Sequence, residues 1–235
     1  MIATLDRFYS YVLFDLDGTL TDPKLGITKS VQYALHKFGI VVNDLDQLNS
    51  FIGPPLMLSF QELYGFTEDE ANQAIRYYRE YFQEQGMYEN ELYDGMIDLL
   101  SLLKNQNRTL VVATSKPTVF AEQILSYFHM SSYFDFICGS ELDGTRSDKA
   151  EIIHYILEQQ QISKDTAVMI GDRKFDIIGA NQNAVDAIAV GFGYGSKEEL
   201  TESRPKYYVE SVTQLHDLFL DVNLQELTAG GSADK

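Results

Sequence analysis

Cysteine is nearly missing from this 235-residue sequence: Cys138 stands alone, so no disulfide can form within the chain. It lies in Phe134-Asp135-Phe136-Ile137-Cys138-Gly139, a setting that marks a small buried residue rather than a nucleophile. The four histidines, His36, His129, His154 and His216, are scattered with no pair at ligand spacing, which argues against a histidine zinc site. Long apolar runs are lacking too. None approaches the roughly 20 residues that span a bilayer, so no membrane partner is expected. Residues 1–7 lack a basic stretch followed by an apolar one, so a secretory signal is not expected and a cytoplasmic address is. Positive charge is scarce: 18 Lys+Arg face 35 Asp+Glu, a net charge of −17. Such a surface repels nucleic acid polymers, whose binding depends on cations meeting phosphates. It also repels small phosphorylated metabolites. Any phosphate site must therefore carry its own local positive charge, from a metal and a few lysines.

What is present is an ordinary globular composition, 45% apolar and 23% charged, long enough to bury a sizeable core. Short apolar runs at 12–14, 110–113, 134–138, 167–170 and 187–190 read as strands. Between them, residues 96–104, 118–128, 149–160 and 175–184 carry apolar residues at helical spacing. Continuous apolar strands separated by helices predict an α/β fold, a Rossmann-like parallel sheet covered on both faces. Residues 21–90 break the alternation with helical pieces at 27–38, 55–64 and 68–85. Some 70 residues are too many for a crossover. The expected organisation is a core of 1–20 and 91–227, a helical cap of 21–90 and a disordered tail from 228. Hinges are expected near 20–23 and 91–95. The stripe Tyr77, Tyr78, Tyr81 and Phe82 reads as a packing face.

The richest segment is Tyr11-Val12-Leu13-Phe14-Asp15-Leu16-Asp17-Gly18-Thr19-Leu20. If the strand persists to its end, Asp15 and Asp17 at i, i+2 point the same way, off the sheet tip. Gly18 then allows a sharp turn. Two acids so close call for a cation or a shared proton. Ligands of parallel α/β sheets bind beyond the carboxyl ends of strands, where three further segments lie. Thr114-Ser115-Lys116-Pro117 offers a hydroxyl and free amides at a helix entrance, with Pro117 suited to the first turn. There, Thr114 reads equally well as a helix cap, and Lys116 as a solvated lysine. Gly171-Asp172 ends the fourth strand, with Asp176 four residues on, and further carboxylates suit a hard oxygen-seeking cation. Lys149 falls in the first turn of a helix capped by Ser147 or Asp148, an unfavourable place for a cation unless it meets an anion.

Taken together, Asp15-Leu16-Asp17-Gly18-Thr19, Thr114, Lys149 and Gly171-Asp172 with Asp176 resemble the haloacid-dehalogenase-like hydrolases. The phosphoglycolate-phosphatase-like branch is the most similar. Ile52-Gly53-Pro54-Pro55-Leu56 resembles that branch's cap loop facing the active site, and Thr114-Ser115-Lys116-Pro117 its Thr-Asn-Lys-Pro, departing at Ser115. Lys149-Ala150 departs from the Lys-Pro of many relatives.

The resemblance implies a phosphatase acting on a small phosphomonoester, such as phosphoglycolate, a nucleoside monophosphate or a sugar phosphate. Asp15 would be the nucleophile that forms an aspartyl-phosphate, and Asp17 the general acid and base. Thr114 and Lys149 would hold the phosphoryl oxygens. Gly18, Ser115 and Lys116 would line the phosphate side, and Gly53 and Pro54 the cap side. Mg2+ would be the cofactor, held by Asp15, the carbonyl of Asp17 and Asp172, with Asp176 either bound through water or orienting Lys149. Two alternatives stay open: a phosphomutase of the β-phosphoglucomutase type, which usually has Gly-Val where this chain has Gly18-Thr19, and a non-catalytic phosphometabolite-binding module. A dehalogenase would lack the acid at Asp17.

Overall fold

A computed structural model describes residues 4–229, with side chains described through residue 220. Six parallel strands form one sheet: β1 (Tyr11–Phe14), β4 (Thr109–Pro117), β5 (Phe136–Ser140), β6 (Ala167–Gly171), β7 (Asp186–Val190) and β8 (Tyr207–Val209). Their order is β5-β4-β1-β6-β7-β8, so β1 lies between β4 and β6, whose tips carry the other motifs. A two-stranded antiparallel ribbon, β2 (Thr21–Asp22) with β3 (Glu91–Leu92), stands where the chain leaves and re-enters the sheet.

Strand residues alternate between two cores, as side chains of successive strand residues must. Val12, Phe14, Leu110, Val112, Val168 and Ile170 face one side. They pack under α4 (Met96–Asn105), α5 (Thr118–Tyr127) and α9 (Val212–Ala229) through Leu99, Ile124 and Leu215. Leu13, Val111, Ala113 and Met169 face the other, against α6 (Lys149–Gln159) and α7 (Lys174–Gln182) through Ile152, Ile156 and Ile177. The short α8 (Lys197–Glu202) follows β7. Both faces are covered, so the strands are apolar throughout.

Between β2 and β3 lie α1 (Lys24–Lys37), α2 (Leu56–Tyr64) and α3 (Glu68–Tyr81). Helix α3 starts at a capping box: Glu70 N–H donates to Thr67 Oγ1 at 3.3 Å, while Thr67 N–H donates to Glu70 Oε2 at 2.8 Å. Its expected run to 85 ends early. At Phe82–Gly86 the helix loosens into a π-turn, with Met87 N–H reaching Phe82 O at 2.9 Å. Such turns re-aim side chains and recur at functional sites. Buried Leu48, Phe51, Phe60 and Ala74 of this block join the same apolar cluster as one face of the sheet.

Other features also differ from the sequence expectation. Strand β8 has only three residues, too few for a period to register. Strand β5 begins at Phe136; at Asp135 the side chain takes the place of the backbone carbonyl, accepting from Leu110 N–H of β4 at 3.0 Å and pairing with Lys104 at 2.8 Å. Strand β1 stops at Phe14, so Asp15 and Asp17 lie in the following turn and the strand period does not govern them. Pro117 ends β4 as the N-cap of α5 rather than sitting in its first turn. The tail expected from 228 falls, beyond Ala229, outside the described residues.

Candidate active site

The turn after β1 is wound tightly. Asp15 N–H donates to Ile170 O at 2.9 Å, and Leu20 and Thr21 N–H both return to Leu16 O. Gly18 has φ +83°, and a Cβ there would meet Asp172 Oδ2 at 2.3 Å. Only glycine satisfies both the left-handed backbone and the approach to the neighbouring strand tip. Gly18 therefore brings β1 and β6 together.

Lys149 occupies the first turn of α6, capped by Asp148, which accepts from Ala150 N–H at 2.8 Å. The anion expected for this cation is internal. Lys149 Nζ lies 2.9 Å from Asp15 Oδ1, 2.7 Å from Asp176 Oδ1 and 2.9 Å from Ala113 O. Burial alone would push the lysine's pKa down, but the two carboxylates overcome it and hold the ammonium well above its usual value. The Oδ2 of Asp176 accepts from Arg173 N–H at 3.0 Å. Asp172 is held just as firmly, accepting from Thr19 Oγ1 at 3.1 Å and Tyr194 N–H at 2.7 Å. It is not a helix cap; that position belongs to Arg173.

Oxygens of Asp15, Asp172 and Asp176 lie within 4.8 Å of one another, all buried. Three carboxylates against the single Lys149 ammonium leave two uncompensated negative charges. Burial, then the neighbouring carboxylates, raises the pKa of Asp172 well above the usual range. Burial likewise pushes Asp176 up, to about 6, against the pull of Lys149. An oxygen-only donor set with a deficit of two positive charges fits a hard divalent cation such as Mg2+. The side chain of Asp17 stands apart from these three.

Asp17 points instead to Lys116, with Oδ2 at 2.8 Å from Nζ, while its Oδ1 is buried without a hydrogen-bond partner. Its pKa is raised by burial, and Lys116 opposes the shift. Lys116 is 9% exposed, so it is no solvated surface lysine, and it lies 4.4 Å over the ring of Phe82 from the π-turn. Thr114 is buried beside it and accepts from Lys116 N–H at 3.3 Å. It does not cap α5. The register of β4 on β5 shifts between Ala113 and Pro117, which places Thr114, Ser115 and Lys116 in the irregularity rather than in the ladder.

A cavity of about 420 Å3 opens between this tip and the helical block. Asp17, Ser115 and Lys116 line it from the sheet, and Gly53, Pro54 and Pro55 from the block. Gly53 has φ +101°, and a Cβ there would press on Arg173 Cγ at 2.7 Å. Arg173 donates through Nη1 to Ile52 O and through Nε to Glu199 Oε1 at 2.9 Å. Tyr194 adds a second tie, from its hydroxyl to Asp22 Oδ1 in β2.

The aromatic stripe divides. Tyr77 and Tyr81 pack on Phe38 and Tyr33, as expected of a packing face, while Tyr78 and Phe82 line the cavity. Sequence reasoning missed Arg173 and Tyr194, recognisable only from contacts more than 100 residues away in the chain, and Arg79, which lines the cavity from the helical block.

Residues 12–190 match the family model described as haloacid dehalogenase-like hydrolase. The chain belongs to this family. A 5'-nucleotidase of Pseudomonas aeruginosa is 47% identical over 210 residues, which cover 89% of this chain and 95% of that protein. The tyrosine-protein kinase PtkA of Mycobacterium tuberculosis is 35% identical, over 86% of this chain and 69% of its own. Among solved structures, a predicted phosphatase from Clostridium acetobutylicum superposes with a TM-score of 0.90 at 54% identity, covering 92% of this chain and all of that one. As a haloacid dehalogenase-like hydrolase the chain is an enzyme, and its α/β core is that of the family. No helix among the described residues is long and apolar enough to cross a membrane.

Proposed function

We propose that this chain is a Mg2+-dependent phosphatase that hydrolyses a nucleoside monophosphate through an aspartyl-phosphate on Asp15. The observation that carries the reading is the separation of two acids by two lysines. Asp15 shares Lys149 with Asp176, whereas Asp17 is held by Lys116 at the edge of the cavity. Asp15 Oδ1 is taken by Lys149 and by Leu16 N–H at 2.8 Å, which leaves Oδ2 to attack phosphorus. As the bond from Asp15 to phosphorus forms and that to the leaving oxygen breaks, Asp17 delivers a proton to the departing oxygen. Burial raises its pKa, which suits a group that must carry that proton. In the second displacement a water attacks phosphorus, its proton passes to Asp17, and Asp15 is released. Lys149 and Thr114 hold the phosphoryl oxygens while their charge redistributes.

Asp15, Asp172 and the backbone carbonyl of Asp17 would hold the metal, with Asp176, ion-paired to Lys149 at 2.7 Å, orienting that lysine. When bound, the ion supplies positive charge that offsets repulsion between the nucleophile and the phosphate. Residues 21–90 act as a cap that excludes water and selects the leaving group. Support for a nucleotide comes from cavity size and lining. At about 420 Å3 it falls within the roughly 300–1,000 Å3 of sites that enclose drug-sized ligands, far more than a glycolate needs. Phe51, Tyr78, Phe82 and Phe120 offer it aromatic walls. The 5'-nucleotidase relative points the same way.

Trapping tests the covalent step. Quenching Mg2+-dependent turnover of p-nitrophenyl phosphate with hydroxylamine should leave a hydroxamate on Asp15, seen by mass spectrometry only when substrate is present. Turnover without that adduct would overturn the mechanism. Transfer of phosphate to a sugar hydroxyl instead of water would favour the phosphomutase.

A further inference from the structure

Arg79 is the cation of this cavity that the fold leaves unused. In a chain of net charge −17, three cationic side chains line the cavity: Lys116, Arg76 and Arg79. Lys116 is bound by Asp17 at 2.8 Å. Arg76 is exposed and donates to Gln73 Oε1 through Nε and Nη2 at 3.2 and 2.5 Å. Among the described residues, the half-buried guanidinium of Arg79 has neither an ion pair nor a side-chain hydrogen bond. Burial also pushes its pKa down, a sign of lost water. Holding a partly dehydrated cation without a partner is costly, so the complement is expected to come from the ligand.

The surroundings narrow that complement. A second phosphate or a carboxylate on the leaving group would face Glu141 and Asp143, which line the same cavity from the core side. Neutral acceptors meet no such opposition. Near Arg79, Tyr78 and Phe82 stack with ring centroids 5.2 Å apart and offer flat apolar surface. A guanidinium presents donors as a planar fork, which pairs best with two acceptors on one edge. Guanine has O6 and N7 so placed, and hypoxanthine shares them; adenine sets a donor beside N7. On the corresponding edge uracil presents a single acceptor and cytosine only a donor.

We propose that Arg79 is a specificity-determining residue whose guanidinium grips the O6 and N7 edge of a 6-oxopurine nucleoside 5'-monophosphate. The inference rests on the phosphatase reading of the same site, and adds which leaving group that site selects. Arg79 touches the base and takes no part in the transfer of phosphorus.

The test is a matrix of kcat/KM with Mg2+ for GMP, IMP, 7-deaza-GMP, AMP, UMP, phosphoglycolate and p-nitrophenyl phosphate. Wild type should prefer GMP and IMP to AMP and UMP by about 10-fold or more, the discrimination of one good bidentate pair. Arg79→Met should lose about 10- to 100-fold on GMP and IMP and stay within about twofold on AMP and p-nitrophenyl phosphate. Arg79→Lys, which keeps the charge and loses the fork, should lose nearly as much. On wild type, 7-deaza-GMP should behave like AMP, a readout that needs no variant to fold. Equal losses on every substrate, losses confined to phosphoglycolate, or no preference for 6-oxopurines would each overturn the proposal. If wild-type enzyme hydrolyses nothing, including p-nitrophenyl phosphate, the phosphatase reading fails instead. Calorimetric binding of GMP against AMP, with and without Arg79→Met, then still decides the role of Arg79.

Discussion

At the tip of the sheet the aspartates and lysines of the site hold one another in place. Lys149 is shared by Asp15 and Asp176, Asp172 is fixed by Thr19 and Tyr194, and Asp17 is tied to Lys116. Across the cavity, the helical block presents stacked rings and the guanidinium of Arg79, which has no ion pair among the described residues. Groups that hold one another in place cost no reorganisation when charge moves, which suits a step common to all phosphoesters. Groups left without partners gain most from a ligand that completes them, which suits discrimination. On the proposed reading the tip carries the chemistry and the block chooses the substrate, a contrast that can be broken experimentally.

The largest effect should follow loss of the nucleophile. Asp15→Asn is nearly isosteric and should lower kcat by on the order of 10^4-fold on every substrate, with an unchanged circular dichroism spectrum. Near-normal rates in the purified variant would remove Asp15 from its role. Next, Lys149→Ala should cost roughly 10^2- to 10^3-fold, again evenly across nucleotides, phosphoglycolate and p-nitrophenyl phosphate. Losses that differ between substrates would place selectivity at the tip and reverse the assignment.

Acidity sharpens the same contrast. Without metal, Asp172 and Asp176 have folded-state pKa values above those of the unfolded chain, about 6 for Asp176. Above the unfolded carboxylate value of about 3.9 the folded state therefore binds more protons, and these groups cost stability as pH rises through their raised pKa values. Mg2+ needs its ligand Asp172 ionised, and a charged Asp176 beside it favours the ion further. Its stabilisation should be small at pH 5 and grow to about 2–3 kcal/mol near pH 7.5, at roughly a hundredfold excess over Kd. Melting curves with and without Mg2+ across that range give the slope, and Asp172→Asn should flatten it. A metal effect independent of pH would dissociate the cation from these carboxylates.

The smallest effect is expected in the block itself. Thr67→Ala removes the capping box of α3 and should cost about 1 kcal/mol, a fall in Tm of roughly 2–4 °C. Turnover of p-nitrophenyl phosphate at 25 °C should not change. A matching loss of kcat would show that the tip depends on the block for its own geometry.

Legibility in the sequence follows the same division. Asp15, Asp172 and Asp176 sit just beyond apolar runs, and Lys149 sits just inside a helix cap, so local pattern alone leads to them. The partnership of Lys116 with Asp17 and the tie of Arg173 to Ile52 join segments about 100 residues apart, which no local period encodes. Tyr78 and Phe82 share the helical stripe of Tyr77 and Tyr81, yet the π-turn and the neighbouring α5 decide which rings face the cavity. Arg79 is visible only as an unfilled requirement. That needs the positions of all its neighbours.

Arg173 carries a consequence for anyone recombining such enzymes. Its side chain passes from the strand tip holding Asp172 to the carbonyl of Ile52, and Gly53 is bare of a Cβ where that side chain crosses. Residues 21–90 therefore do not form a free cassette. A block transplanted from a relative would fit this core only if glycine at 53 and arginine at 173 travelled together, although 120 positions separate them in the gene.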